Sequence, residues 1–536
     1  MATLVASIDS QPASEQVGRV SRKNEHGFAV LLVSALTPFT VVVDGYHPYA
    51  EDGGLYMTGV KRLLDPALYP HDTAFVLEPA RLSLFAPVVA WLVRLTHLGL
   101  PVVLLALHLI SIWATLFAAW LLASRCWTSR SARAGAVLLL ACWLTLPVAG
   151  TALTLMDPYL TARSFSTPCM VLALVGALDI MEQSGPARRL GLLLWVASIV
   201  FAAAMHPLMA AYALGATLML ICLGSPTRVI RVWGTVAFAA AALALAACLQ
   251  SIANPESAAY SRIVMTRTYW FPAQWRWYEL VGLAAPLATI AIAGWVDVNR
   301  GSLAESSTQA HRPLARMAIA VGAISCTVAL LFARAGSPTH LVARMQPLRA
   351  FQIVYLVLLL VLGTKLGQLV LHRCAWRWAL AATLLGGIML VPERAAFPNS
   401  NHLELPWTTR TTTPQNPWVQ AFLWVRANTP KDALFALDAD YINLPGEDAQ
   451  CFRAIAERSA LPDYSKDGGE ASIAPELTPA WTLAQAAQQG LGTRTDADRL
   501  AALSPLGVSW VVLQAGAQTN FDCPYSNAAV KVCRLR

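Results

Sequence analysis

The chain has 536 residues, of which 56% are hydrophobic and only 13% are charged, and its mean hydropathy is +0.51. An ordinary soluble domain carries about 25% charged residues, so this composition excludes a simple soluble protein. The net charge is +8, but the segment from residue 396 onward has 11 Lys and Arg against 14 Asp and Glu. A mildly acidic polar tail argues against nucleic-acid binding, which requires basic residues clustered on a soluble face.

Repeated apolar segments predict helices that cross a bilayer, because about 20 helical residues span its hydrocarbon core. The eleven candidate spans are 28–43, 101–123, 134–151, 168–181, 190–205, 208–223, 234–250, 279–296, 314–332, 351–371 and 378–391. The sequence therefore predicts an α-helical polytopic membrane protein with about eleven transmembrane helices, spread over a membrane domain at 28–395.

The orientation follows from the arginines, because cytoplasmic loops of membrane proteins are enriched in Lys and Arg. The segment 1–27 is polar and the apolar run after it lacks a small-residue cleavage site, so we expect 1–27 to be a cytoplasmic tail rather than part of a cleaved signal. The segment 84–98 is short for a span, and we interpret it as a helix lying in the membrane interface. If it crossed the membrane instead, everything after it would be inverted. With it lying flat, the inner loops are basic, 44–83 forms the first outer loop, and 396–536 lies on the outer side.

The segment 396–536 is predicted to be a small extracytoplasmic domain of mixed α/β structure. PWVQAFLWVRANTP has the pattern of an amphipathic helix, and ALFALD and VSWVVLQ are typical of buried strands. Cys523 and Cys533 bracket a short loop and would suit a disulfide in an oxidising compartment; free thiols are the alternative.

The first outer loop begins with an acidic and aromatic cluster. Asp44, Glu51 and Asp52 place three carboxylates within nine positions. Partial desolvation at a membrane edge raises the basicity of such carboxylates toward the range needed to deprotonate a hydroxyl. Tyr46 and Tyr49 offer flat amphipathic rings of the kind on which sugars stack. The composition alone also fits a solvated loop with an aromatic belt.

This arrangement resembles the GT-C superfamily of polytopic glycosyltransferases, which use polyprenyl-phosphate-linked sugars. The shared features are an acidic motif after helix 1, a horizontal helix in the same loop, eleven to thirteen spans and often a soluble C-terminal domain. Asp44 occupies the position after helix 1, whereas the Glu51-Asp52 pair lies further along than the family's usual acidic pair. Any of the three is therefore a candidate base.

The resemblance implies an enzyme in the inner membrane of a bacterial envelope. It would transfer a sugar from the lipid carrier to an acceptor hydroxyl on the outer face by inverting displacement. The expected partners are the lipid-linked donor, membrane lipids and an acceptor of undetermined identity. A divalent metal ion bridging carboxylates to phosphate is compatible with the acidic loop, although the sequence does not require one and contains no CxxC or HExxH metal-binding motif.

A polyprenyl-phosphate donor needs cations at the outer edge of the membrane, and arginine matches phosphate through a bidentate fork. The outer segments contain five candidates: Arg344 and Arg349 first, then Arg163, Arg262 and Arg267. Salt bridges to outer carboxylates and contacts with anionic lipid head groups are the alternatives. His206, which precedes Pro207 at a predicted helix break, is a candidate donor contact or simply a polar helix cap.

Two non-enzymatic interpretations compete with the transferase: a transporter or flippase of lipid-linked sugars, and a degenerate family member that serves as an assembly subunit. Transporters usually place charged residues inside their spans, near the midplane. Here the predicted spans are nearly free of charge and the ionisable residues gather at one face, which favours surface chemistry. The sequence has no Walker loop and no GxGxxG motif, so a nucleotide donor is not expected.

Overall fold

The computed structural model describes residues 13–71, 73–81, 83–182, 184–300, 308–372, 374–406 and 413–535. Its first part is helical: α1 (Ala13–Asp44), α2 (Glu51–Leu64), α3 (Thr73–Arg81), α4 (Phe85–Thr96), α5 (Leu100–Cys126), α6 (Arg130–Cys142), α7 (Ala162–Glu182), α8 (Gly185–Met205), α9 (Pro207–Leu223), α10 (Arg228–Ile252), α11 (Ala258–Met265), α12 (Trp277–Arg300), α13 (His311–Phe332), α14 (Leu341–Arg344), α15 (Phe351–Lys365) and α16 (Ala375–Ala396). Of the predicted tail 1–27, residues 1–12 lie outside the described residues, and α1 begins within the remainder.

Nine helices in the described part of the chain are long and apolar enough to cross a membrane, which indicates an integral membrane protein. They coincide with nine of the predicted spans, and the interval Leu341–Leu371, which contains α15, counts as one of them. The other two predicted spans correspond to shorter helices. α9 is 17 residues long, because Pro207 begins it directly after the break at His206.

The predicted span 134–151 is wrong in its second half. α6 ends at Cys142, and the chain then folds back in a short irregular hairpin. The Val148 N–H donates to the Leu153 carbonyl at 2.7 Å across this hairpin. Pro147 has no N–H group with which to continue a helix, so the hairpin replaces the last predicted turns. It leads the chain to the start of α7.

The segment 44–98, called the first loop below, covers the predicted outer loop and the predicted interfacial helix, and it is largely helical, containing α2, α3 and α4. α4 is 12 residues long and apolar, too short to cross a bilayer. Its Phe85 packs with Met57 of α2, while Trp91 and Leu95 are exposed. An interfacial position for α4 stays a prediction, and its length and exposed apolar face are compatible with that position.

The C-terminal part forms a mixed α/β domain. Its elements are α17 (Pro417–Asn428), β1 (Leu434–Ala436), α18 (Phe452–Ala456), β2 (Ser459–Ala460), α19 (Lys466–Ile473), α20 (Thr478–Gln488), α21 (Asp496–Leu503), β3 (Trp510–Gln514), β4 (Tyr525–Ser526) and β5 (Val530–Arg534). The strand order is β2-β1-β3-β5-β4, with β1 parallel to both neighbours and β5 antiparallel to both of its own. A disulfide joins Cys523 to Cys533.

This domain docks directly on the first loop through backbone hydrogen bonds. The Glu51 N–H donates to the Ala449 carbonyl at 2.8 Å, and the Cys451 N–H donates to the Tyr49 carbonyl at 3.0 Å. Gly54 permits the close approach, because a Cβ at this position would lie 2.1 Å from the Cβ of Cys451. Gly54 therefore serves the contact between the two domains.

Candidate active site

Asp52 lies in the first turn of α2, where α2 faces α7 and α19. Its two carboxylate oxygens accept hydrogen bonds from two different cations: Lys466 Nζ donates to Oδ1 at 3.1 Å, and Arg163 Nη2 donates to Oδ2 at 3.3 Å. Lys466 also contacts the Glu51 carboxylate. These partners lie 111 and 414 positions away along the chain, so three separate regions of the sequence form the cluster.

Arg163, at the start of α7, is the buried cation of this cluster. Besides Asp52, it binds Asp157, whose Oδ2 accepts from Nη2 at 2.8 Å and from Nε at 3.3 Å. The hydroxyls of Thr154 and Thr161 donate to the same carboxylate, at 3.0 and 3.3 Å. A buried guanidinium requires such compensation for lost hydration, and here two carboxylates supply it. Arg163 is therefore fixed in position by the folded protein itself.

Arg349 brings a second guanidinium to the same region. It lies on the 3₁₀ turn Pro347–Ala350 before α15, within electrostatic range of both Asp52 and Arg163. Among the residues that the structure describes, its side chain has no hydrogen-bond or ion-pair partner, and its Nε is buried. It lines a small cleft together with Tyr269. The other charges named here are paired with one another, whereas the Arg349 guanidinium keeps free donors, and its planar fork matches two oxygens of an anion such as phosphate.

Neutral polar groups line the same region. His206 follows the end of α8, its Nδ1 is buried without a partner in the described part of the protein, and it lies within electrostatic range of Asp52. Tyr56 of α2 also lies within electrostatic range of Asp52. Tyr159 packs on Gly53, where a Cβ would lie 3.0 Å from the Cβ of the tyrosine. The short contact at Gly53 thus brings the start of α2 against the segment that leads into α7.

Two carboxyl groups near this cluster differ in their ionisation. Burial alone would raise the pKa of Asp52, but Lys466 and Arg163 outweigh it and hold that pKa well below its usual range. Glu470 is the opposite case, because burial and then the nearby Asp467 carboxylate raise its pKa to about 8. At neutral pH Asp52 is ionised, whereas most Glu470 side chains carry a proton.

The other three predicted phosphate-binding arginines have different surroundings. Arg267 Nη1 donates to the Ser465 carbonyl at 2.6 Å, just before α19. Arg344 Nη1 donates to the Ile473 carbonyl at 3.3 Å, at the other end of α19. These two arginines therefore hold α19 on the membrane domain at both of its ends. Arg262 is exposed on α11 and, among the residues that the structure describes, donates only to the backbone of its own helix.

Asp44, the remaining first-loop carboxylate, lies in a separate cluster. It ends α1 and is 4% exposed, and its Oδ1 accepts a hydrogen bond from Thr145 Oγ1 at 3.1 Å. Glu393 of α16 lies within electrostatic range of it. The structure therefore does not bring Asp44 to the cations that bind Asp52, although the two residues are close in sequence.

The two tyrosines predicted to bind substrate have other contacts. Tyr46 is buried, with its ring centroid 5.2 Å from that of His108. Tyr49 lines a cavity of about 530 Å³ between the first loop and the C-terminal domain. Lys61 Nζ lies 5.0 Å from the centre of the Tyr49 ring. None of these contacts involves Asp52, so neither tyrosine belongs to its cluster.

A divalent metal ion does not fit the acidic pair as the structure arranges it. In the described ranges, no group of three or more His, Cys, Asp or Glu side chains is placed to hold a metal ion. Both oxygens of Asp52 are occupied by Lys466 and Arg163, and Glu51 contacts Lys466 as well. Hard cations such as Mg²⁺ bind through carboxylate oxygens, and these oxygens are already paired with protein cations.

Lys466 and Glu470 are not identifiable from the sequence, because they lie in a polar stretch of the tail without a recognisable motif. A comparison of the chain with protein-family models and with curated protein sequences finds no match. The interpretation of the site therefore depends on its own geometry and charge.

Proposed function

We propose that this protein is a membrane glycosyltransferase that moves a sugar from a polyprenyl-phosphate carrier to an acceptor hydroxyl. The main support is the convergence of Asp52, Arg163 and Arg349 on one region at the junction of the membrane domain and the C-terminal domain. A site of this composition offers cations to a phosphate and carboxylates to a hydroxyl, next to helices that can hold a lipid tail.

The donor phosphate binds at Arg349, the guanidinium with free donors, and Arg163 adds a second positive charge. As the bond between the sugar and the phosphate breaks, negative charge grows on the departing polyprenyl phosphate, and fixed cations stabilise it. Asp52 and Glu51 hold Arg163 and Lys466 in position. Arg267 and Arg344 are positioning residues for α19 in this scheme, and Arg262 has no role in it.

The surroundings of the site favour the predicted location of the enzyme. Exposed apolar side chains on α4 and α8, such as Trp91 and Leu193, offer a surface for lipid tails. The disulfide between Cys523 and Cys533 favours an oxidising compartment for the C-terminal domain. We therefore place this domain on the outer face of a bacterial inner membrane, with the N-terminus in the cytoplasm and about eleven membrane segments, counting the shorter α6 and α9.

One observation favours the competing interpretation as a transporter or flippase. Glu393 lies within the candidate span α16, and it faces Asp44 at the end of α1. Ionisable residues inside spans often mark a transport pathway. A flippase would move the lipid-linked sugar between leaflets without releasing free polyprenyl phosphate, so one product assay distinguishes the two functions.

The test uses the purified full-length protein with a synthetic polyprenyl-phosphate sugar. We expect release of free polyprenyl phosphate, and Arg349→Ala should lower kcat/KM by about 100-fold, because it removes a charge aligned with the leaving group. Arg262→Ala is the matched control, because Arg262 also lies in a predicted outer segment but is exposed on α11. This variant should keep the rate of the unmodified protein. No release of polyprenyl phosphate, or equal losses in the two variants, would contradict the proposal.

A further inference from the structure

Helix α19 is held against the site by contacts along its whole length. Lys466 in its first turn binds Asp52, and the carboxylate of Asp467 accepts two hydrogen bonds of 2.8 Å from Arg453 Nη1. Asp467 is fully buried, so this ion pair fixes the helix in the C-terminal domain. With Arg267 and Arg344 at its ends, α19 is a rigid platform beside the first loop.

Glu470 lies four residues after Lys466 on this platform. Residues at this spacing share one face of a helix, so Glu470 lies on the side of α19 that meets the first loop. α19 contacts both α2 and α3, and the Glu470 carboxyl group lies within electrostatic range of Asp52, Tyr56 and Glu78 on those two helices.

Asp52 and Glu470 differ in whether their carboxyl oxygens are free to accept a proton. Asp52 has both oxygens bound to cations. Glu470, in contrast, has no hydrogen-bond or ion-pair partner for its side chain within the described portion of the chain. A carboxylate that is bound by two cations is a weak base, whereas a free carboxyl group in a partly desolvated position is a strong one.

We propose that Glu470, a residue of the C-terminal domain, is the group that accepts the proton from the acceptor hydroxyl. This inference rests on the proposed function. The hydroxyl oxygen forms a bond to the anomeric carbon of the sugar, while the bond from that carbon to the phosphate oxygen breaks. The electron pair leaves with the polyprenyl phosphate, near Arg349, and the hydroxyl proton moves to the Glu470 carboxylate.

The electrostatic surroundings of Glu470 support its role as the proton acceptor. Burial and three neighbouring carboxylates raise its pKa to about 8, so its ionised form takes up a proton readily near neutral pH. The elements packed against α19 carry these charged and titratable groups near it: Glu51, Asp52 and Tyr56 in the first half of α2, Glu78 and Arg81 of α3, Tyr260 and Arg262 of α11, and Glu476 in the turn that follows α19. Helix α20 also contacts α19 and has no titratable side chain. Lys466 and Asp467 lie on α19 itself, and Arg267 and Arg344 bind the backbone at its two ends.

The proposed role of Glu470 predicts that kcat/KM increases with pH. Only the ionised form can accept a proton, so kcat/KM should rise about tenfold per pH unit below the pKa of Glu470 and level off above it, at about 8. Glu470→Gln should lower kcat/KM by about 100-fold or more and remove this rise. Glu470→Asp should recover part of the rate, because it keeps a carboxylate on a shorter side chain.

The matched control is Glu476→Gln, which alters an exposed glutamate of the same domain that pairs with Arg81. It should keep both the rate and the pH profile. Glu470→Gln should also bind polyprenyl phosphate as tightly as the unmodified protein, which would show that the site is still assembled.

The outcomes separate this inference from the proposed function. If the unmodified protein releases polyprenyl phosphate and Glu470→Gln does so at the same rate, or with the same pH profile, then Glu470 is not the proton acceptor while the transferase proposal stands. If the unmodified protein neither binds nor releases polyprenyl phosphate, the proposed function fails and the role of Glu470 fails with it.

Discussion

Asp44 and Asp52 are only eight positions apart, yet they lie in opposite chemical environments. Asp44 is buried at the end of α1, with a threonine hydroxyl and another carboxyl group beside it. Asp52 begins the next helix and binds two cations, one of them from the C-terminal domain. The chemistry open to a carboxylate in this protein therefore depends on partners that come from distant parts of the chain.

The largest expected effect comes from removing the support of α19, which should disturb the Asp52 cluster and leave the Asp44 cluster intact. Asp467→Ala removes the carboxylate that pairs with the buried Arg453 guanidinium, and this should destabilise the protein by about 3–5 kcal/mol. Denaturant titration of the full-length protein in detergent measures the loss. The control is Asp522→Ala, which breaks an exposed Asp–Arg pair and should cost at most about 1 kcal/mol.

Two outcomes of this experiment would contradict the account. Equal losses in the two variants would mean that Asp467 does not anchor the helix through a buried ion pair. Normal turnover in a folded Asp467→Ala protein would mean that the position of Lys466 beside Asp52 is irrelevant to the reaction.

Isosteric substitution of Asp52 and of Asp44 tests the two clusters separately. Asp52→Asn removes the negative charge that fixes Arg163 and Lys466, and we expect the rate of polyprenyl phosphate release to fall by about 100-fold. Asp44→Asn keeps an acceptor for the Thr145 hydroxyl and lies outside the cluster of cations, so its rate should stay within about threefold of the unmodified protein. A larger loss for Asp44→Asn than for Asp52→Asn would reverse the assignment of the two clusters.

Much of the architecture is predictable because it depends on local patterns. Apolar segments long enough to cross a membrane identify nine helices in the described part of the chain, an amphipathic pattern identifies α17, and short apolar runs identify the buried strands β1 and β3. The hairpin after α6 is not predictable in this way, since its apolar composition is that of a span. Only the position of Pro147 indicates that the helix stops early.

The candidate site is predictable only in part, because it is formed by contacts over hundreds of positions. The acidic loop and the outer arginines stand out in the sequence, yet nothing local distinguishes Arg349, which has free donors, from Arg267, which binds the backbone before α19. Lys466 and Glu470 carry no motif at all. Their proximity to Asp52 results from the docking of the C-terminal domain, which Gly54 allows through its close contact with Cys451.

The most direct test of the central claim is a structure of the full-length protein with bound polyprenyl phosphate. We predict phosphate oxygens within about 3 Å of the Arg349 guanidinium, with Arg163 and Asp52 beside them. A phosphate bound next to Asp44 and Glu393, or in the cavity lined by Tyr49, would contradict the claim that the Asp52 cluster and Arg349 form the donor site.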